Sequence, residues 1–136
     1  EVEFVKMEAS STYTYDGSIV GTNNVKDLKD KSLTKGIVTD TNGVITITFN
    51  REAEFEEIAI GGYNGNSLAW YVGNGNGANI LTSLNGSNWT TVGSINEYGA
   101  EIKTIKVKKS KAKYIRFSHN DYLGIGYLDI KEQKKK

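Results

Sequence analysis

The sequence contains no cysteine, no proline, one histidine and one methionine. Without cysteine there are no disulfides, no thiolate metal sites and no cysteine nucleophile. A single histidine also excludes a multi-histidine metal centre. No apolar run approaches the roughly 20 residues that a membrane-spanning helix needs. The acidic start Glu1-Val2-Glu3-Phe4 does not read as a signal peptide, so a mature or excised domain is expected. What is present suits one folded unit. A chain of 136 residues, 38% hydrophobic and 24% charged, has room for one core and too much apolar material to stay disordered. Fifteen glycines with frequent Asn, Thr and Ser favour strands joined by tight turns. The net charge of +1 conceals a split: up to residue 100 there are 6 Lys/Arg against 12 Asp/Glu, and beyond it 11 against 4. The two parts therefore carry −6 and +7, a division of the kind that can mark a charged partner.

Alternating apolar and polar residues dominate the chain. Residues 44–49 and 55–60 read as two strands, the first entered through the turn signal Asn42-Gly43. Residues 78–84 and 89–95 flank Asn85-Gly86-Ser87-Asn88 and predict a hairpin. Residues 102–107, 112–117 and 127–130 continue the pattern, with Lys109-Ser110-Lys111 expected to turn between the first two. Residues 2–7 suggest a first strand, and 25–34 hold the one plausible helical turn. Strands at this spacing indicate an all-β sandwich or barrel. The longest loops, at 10–24, 61–77 and 119–126, are where such scaffolds carry function.

Several segments resemble a known family. Ala9-Ser10-Ser11-Thr12-Tyr13, an Asp-containing loop ending at Thr34, and Val44-Ile45-Thr46-Ile47-Thr48-Phe49 resemble the first half of a discoidin-like domain, the coagulation-factor type C or galactose-binding-like β-sandwich. Residues 55–62 resemble its strand ending in glycine before a binding loop. Leu84-Asn85-Gly86-Ser87-Asn88-Trp89-Thr90-Thr91-Val92-Gly93 is similar to its turn-plus-tryptophan signature. Ala112-Lys113-Tyr114-Ile115-Arg116-Phe117 and Gly124-Ile125-Gly126-Tyr127-Leu128-Asp129-Ile130 resemble its closing strands. The resemblance implies an antiparallel jelly-roll sandwich of about eight strands over residues 1–131, followed by a basic tail or linker at 132–136. It also implies non-catalytic binding of glycans, lipid head groups or proteins through end loops.

The candidate site residues follow from chemistry and from that resemblance. His119-Asn120-Asp121-Tyr122 is the one His-centred cluster. Catalysis there would need a second acid, base or nucleophile that the sequence does not place, so no catalytic residue is assigned. As a sugar contact the cluster is better suited: a Tyr face stacks on a pyranose while imidazole and amide groups hydrogen-bond hydroxyls. Tyr63 and Asn64, in the loop where glycan-binding relatives commonly carry an Arg, join His119, Asn120 and Tyr122 as expected ligand contacts. The resemblance places Asp27, Asp30 and Thr34 where related modules hold a structural calcium, an ion suited to hard oxygen ligands. Lys29 and Lys31 interrupt the usual Asp-Gly-Asp spacing, Tyr127 stands at the position of a late-strand Glu ligand, and Gly36 replaces an aromatic. No other cofactor is expected.

Four further features are weighed against plainer readings. Trp89 is expected to be a core anchor at the hairpin, and Tyr114 and Phe117 to be structural. Arg116 reads either as the partner of a carboxylate across the sheet or as solvent-facing. Gly73-Asn74-Gly75-Asn76-Gly77-Ala78 satisfies a dinucleotide fingerprint, yet a β-like segment follows where a helix is required. Lys103, Lys106, Lys108, Lys109, Lys111 and Lys113 read as a solvated strand face guarding a sheet edge, with a phosphate- or sulfate-binding stripe as the alternative. The expectation is a glycan-binding module of a larger extracellular, cell-surface or virion-surface protein, partnered by a glycan or surface protein and by other domains. Nucleic acid and a membrane span are not expected. The alternative is a structural or adhesion domain of a viral, phage or cell-surface assembly.

Overall fold

The computed structural model describes residues 2–65, 75–96 and 98–133. Its regular elements are β1 (Phe4–Ala9), β2 (Thr14–Tyr15), β3 (Ser18–Ile19), a 3-10 turn (Val25–Lys29), β4 (Ile37–Val38), β5 (Val44–Gly61), β6 (Asn79–Ser83), β7 (Thr90–Ser94), β8 (Lys103–Ser118), β9 (Gly124–Ile125) and β10 (Tyr127–Glu132). All pairings are antiparallel, in the order β1-β5-β8-β6-β7 with β10 also on β5. Two-residue strands pair β2 with β3 and β4 with β9.

The expected strands at 44–49 and 55–60 are one continuous strand, as are those at 102–107 and 112–117. β5 and β8 pair along most of their length, with register shifts between Thr48 and Ala53 and between Phe55 and Glu57. The shifts do specific work on the hydrophobic pattern. Ile45, Ile47, Phe49, Ala53 and Phe55 face inward at odd positions, and beyond the second shift Ile58 and Ile60 face inward at even ones. β8 changes parity in the same way, burying Val107, then Ser110 and Ala112, then Ile115 and Phe117. β8 changes parity at both shifts and β5 at the second alone, and in each case the apolar side stays on the core. Lys109-Ser110-Lys111 is therefore a bulged stretch of β8 rather than a turn: the Ser110 hydroxyl donates to the Lys108 carbonyl at 2.8 Å inside the strand.

The first half of β5 pairs with β1 and the second half with β10, so this one strand serves both layers. Phe49 and Phe55 flank its bend at a 6.2 Å centroid separation, both fully buried. The 3-10 turn starts where the Asn24 side chain accepts from Lys26 N–H at 3.1 Å, and it plugs the core with Leu28. Lys29 then bonds Asp129 at 2.5 Å and covers the Phe4 ring at 4.4 Å.

The charge split of the sequence resolves inside this topology. The acidic second half of β5 lies against the basic first half of β8, with Glu54 opposite Lys111 and Glu57 opposite Lys106. Lys111 also approaches Glu52 at 3.8 Å, and Arg51 grips Glu132 through two bonds of 2.5 and 2.7 Å. Glu132 and Gln133, expected in the tail, belong to the fold: Glu132 pairs with Phe55, and Gln133 N–H bonds the Glu54 carbonyl at 2.8 Å. The rest of that tail, residues 134–136, lies outside the described residues, as do Gly73 and Asn74 of the glycine-rich segment. Among the described residues no helix is long and apolar enough to cross a membrane.

Candidate functional site at the loop end

One end of the sandwich is built from the β1–β2 segment, the β4–β5 turn, residues 75–78 and the β8–β9 loop. Backbone geometry ties these pieces together. His119 N–H donates to the Gly43 carbonyl at 2.9 Å, and Gly43 N–H returns to Asp121 at 3.3 Å. Thr39 is fully buried; its N–H bonds the Leu123 carbonyl at 2.9 Å, while its Oγ1 accepts from Leu123 N–H at 3.2 Å. Gly43 is obligatory beside it, because a Cβ there would stand 1.9 Å from that Oγ1. Ser10 closes the neighbouring strand, its Oγ accepting from Val44 N–H at 3.0 Å.

Residues 75–78 are held by Tyr98. Asn76 Oδ1 accepts from Tyr98 N–H at 2.6 Å, and the ring is buried against Gly75. The Tyr98 hydroxyl lies 2.9 Å from the Gly61 carbonyl and 2.7 Å from that of Gly124, which ties the end of β5 to the β8–β9 loop. Burial pushes this phenol well above the ordinary tyrosine range. The segment after Gly77 is strand β6, so no helix N-terminus stands ready for a pyrophosphate.

On this frame lies a cleft of about 410 Å³ lined by Asn42, Val44, Gly77, Asn79, Ser118, His119 and Asn120. Two of the expected contacts, His119 and Asn120, meet here. Asn42 and Asn79 complete it, and sequence reading missed both. Asn42 was visible only as half of a turn signal, and it adopts φ 60°, a left-handed conformation that Asn tolerates. Asn79 carried one usable sign, its outward place in strand alternation. The pairing Val44–Ser118–Asn79 across β5, β8 and β6 brings it to the cleft. Three amides and an imidazole offer both donors and acceptors, the pattern needed for vicinal hydroxyls. Tyr122, another expected contact, does not line this cleft; it is half-buried and meets Tyr13 edge to face at 5.5 Å.

Tyr63 is a correction. It is 2% exposed, packed with Val20, Val38 and Tyr13, and its phenol is raised by burial against an opposing backbone hydrogen bond with Gly21. The ring is a floor beneath the loops, not a contact surface. Asn64 is exposed, its N–H bonding the Leu33 carbonyl at 2.7 Å, and it does not line the cleft. The Asn66-Ser67 and Trp70-Tyr71 positions of this loop lie outside the described residues.

The carboxylates expected to hold calcium are engaged otherwise. Asp27 accepts from the Thr22 hydroxyl at 2.5 Å. Asp30 accepts from Ser32 N–H at 2.9 Å and faces Lys35 at 3.3 Å, contacts that hold its carboxyl below the usual range. Leu33, Ala59 and Tyr127 fill the adjoining space as an apolar cluster. Among the described residues no group of three His, Cys, Asp or Glu gathers for a metal. Lys35 thus stands beside Asp30, while Lys29 is turned to Asp129.

Trp89 is the other correction. It is half-buried on the outer sheet face, 6.3 Å from Tyr114 and with Arg116 stacked 3.9 Å from its centroid. Among the described residues Arg116 has no carboxylate partner, and it is half-buried; its Nε–H donates to Thr46 Oγ1 at 2.9 Å. The hairpin places Trp89 just before β7, where its ring lies over β8 instead of entering the core.

No protein-family model matches the chain, and no curated protein sequence matches it. Solved structures do. A CBM32 module from Clostridium perfringens in complex with GalNAc-β-1,3-galactose aligns at TM-score 0.68 and 18% identity, over 92% of this chain and 93% of that one. A pectin-binding carbohydrate-binding module aligns at 0.69 and 14% identity, over 98% and 94%. The CBM32 of AlyQ, in complex with 4,5-unsaturated mannuronic acid, aligns at 0.68 and 18%, over 94% and 95%. The fold is thus the discoidin-like, galactose-binding-like β-sandwich that the sequence resembles.

Proposed function

We propose that this domain is a non-catalytic glycan-binding module, with the loop-end cleft as its site. The observation that carries the reading is the convergence of Asn42, Asn79, Asn120 and His119 around one cleft on a hydrogen-bonded backbone. In this reading His119 and the amides bond sugar hydroxyls. Likeness to carbohydrate-binding modules supports the same reading. A shallow polar cleft buries little surface, so each site binds modestly and attachment gains strength from multivalency within a larger extracellular or surface protein.

A multimerised domain on a glycan array tests this directly. Binding is expected, and His119→Ala with Asn120→Ala should lower affinity at least about tenfold, the loss expected for removing two hydrogen-bonding groups. The melting temperature should hold, because exposed loop side chains contribute little to the core. An array without binding would overturn the reading in favour of a structural or adhesion domain.

A further inference from the structure

We infer that the outer sheet face beside the loop-end cleft carries a second subsite, formed by Trp89, Tyr114 and Arg116, that takes a hexuronate residue of a glycan chain. The inference rests on the glycan-binding reading and extends it to the class of sugar. Outward positions of a solvated sheet are ordinarily polar, and here two aromatic rings and an arginine gather instead. Glu8, Thr46, Arg116 and Leu81 form one cross-strand row, with Tyr114 in the next.

Arg116 is fixed at two points, through Nε–H to Thr46 and through its face to Trp89. Among the described residues no carboxylate lies within ion-pair distance of it. Glu8, in the same row, is turned to Lys6 at 3.4 Å. The guanidinium edge beyond Nε is therefore a preorganised fork, matched to the planar geometry of a carboxylate. Tyr114 is kept open by Gly86: at φ 77° a Cβ on Gly86 would stand 3.4 Å from the Tyr114 ring, where a larger side chain would cover it. Together these residues border a cleft of about 280 Å³, whose rim also carries Glu8, its charge offset by Lys6.

The two clefts are contiguous. Val44 lines both, and the row Val44–Ser118–Asn79 is two residues along the strands from Thr46–Arg116–Leu81, about 7 Å at the ordinary strand rise. A chain seated at His119 thus reaches Arg116 with a neighbouring residue. A phosphate or sulfate would use the fork but leave the aromatic rings without a partner; a uronate uses both.

Calorimetric titration with trigalacturonate and trimannuronate, each beside its carboxyl-reduced counterpart, tests the assignment, with melting temperature measured for every variant. The wild type should bind at least one acid form about tenfold more tightly than its reduced form, the scale of a charge-assisted bidentate contact. Arg116→Gln should erase that preference, and Arg116→Lys should restore only part of it, because charge returns without the fork. Trp89→Ala should weaken acid and reduced forms alike, and so should His119→Ala. Where Arg116→Gln perturbs folding, Thr46→Val loosens the fork without removing it and should reduce the preference about threefold through the lost hydrogen bond.

Equal binding of acid and reduced forms by the wild type, or a preference that survives Arg116→Gln, would overturn the subsite. If neutral glycans bind through His119 while no acid form is preferred, the inference fails and the proposed function stands. If acid preference depends on Arg116 but His119→Ala changes nothing, the subsite stands and the loop-end cleft loses its role.

Discussion

The two ends of the sandwich are held by different physics. The loop end is fastened by backbone bonds and buried groups: Thr39 to Leu123, His119 to Gly43, and Tyr98 between Gly61 and Gly124. At the bend of β5 and β8, charge does the fastening, through Arg51–Glu132, Lys111–Glu52 and the facing pairs Glu54–Lys111 and Glu57–Lys106. A cleft lies at each end, and the one at the bend is lined by the engaged pairs Arg51–Glu132 and Lys111–Glu52, with Glu54 between them in sequence. The loop-end cleft instead presents uncharged amides beside His119. Charged side chains are the conspicuous feature of the sequence, and at the bend several of them pair with one another. The proposed recognition site lies at the quieter end, where a hydrogen-bonded backbone places neutral groups.

The largest expected effect breaks the loop end at its glycines. Gly36 sits at φ 118° with an added Cβ only 2.1 Å from the Ile125 carbonyl, so the β4–β9 contact admits no side chain. Gly36→Ala should cost about 3 kcal/mol or more, combining steric overlap with backbone strain. Urea unfolding measures it, and a cost under about 1 kcal/mol would show that the two segments can separate freely.

Tyr98→Phe comes next. It removes the buried hydroxyl shared between the carbonyls of Gly61 and Gly124, of which Gly61 keeps the Gly126 N–H, at about 1–3 kcal/mol. The variant also carries a pH signature. Burial raises the Tyr98 phenol above its unfolded value of about 10, so its contribution is fully present below that pH and is lost as pH rises through the native value. Wild-type stability should therefore fall on the alkaline side more steeply than that of Tyr98→Phe. Melting temperatures from neutral pH to about 11 show it, with Tyr63 and Tyr127, also raised by burial, accounting for a residual slope in the variant.

How far the sequence carried depends on whether a feature was local. The hairpin at Asn85-Gly86-Ser87-Asn88 was legible because turn chemistry and flanking alternation agree, and the structure pairs β6 with β7 around it. The continuity of β5 was not. Asn50-Arg51-Glu52 reads as a polar break, and nothing in a single strand's pattern distinguishes a bulge that swaps faces from a turn that ends the strand. Tyr63 misled because a tyrosine among glycines and asparagines looks like a loop tip, whereas Val20 and Val38 arrive from elsewhere to bury it. His119 and Asn120 were legible as a polar cluster closing a strand. Asn42 and Asn79 join them only through the register of β5, β8 and β6, which no spacing along the chain encodes.

Reversing charge at the bend should have a smaller effect. Lys106→Glu with Lys111→Glu sets like charges opposite Glu57 and Glu54, at a cost of about 1 kcal/mol for the pair. That cost should shrink in 1 M salt, where the Debye length falls to about 3 Å. Urea unfolding in both buffers reports it. Glycan affinity should be unchanged, because neither lysine lines the loop-end cleft. Loss of binding would transfer recognition to the basic half of β8.

The smallest expected effect is that of salt on binding itself. In the proposed reading a neutral glycan meets Asn42, Asn79, Asn120 and His119 through hydrogen bonds, so no counterions are released when it docks. Its affinity should change less than about twofold between low and physiological salt, since screening acts on net charge. Stability of the bend should shift over the same range, because its fastenings are ion pairs. Two titrations of one neutral ligand, each paired with an unfolding curve, put both responses on one sample. An affinity that fell more than about tenfold would mean that charge carries the recognition, as phosphate-binding stripes require. The lysines of β8 would then be doing more than neutralising the acidic half of β5.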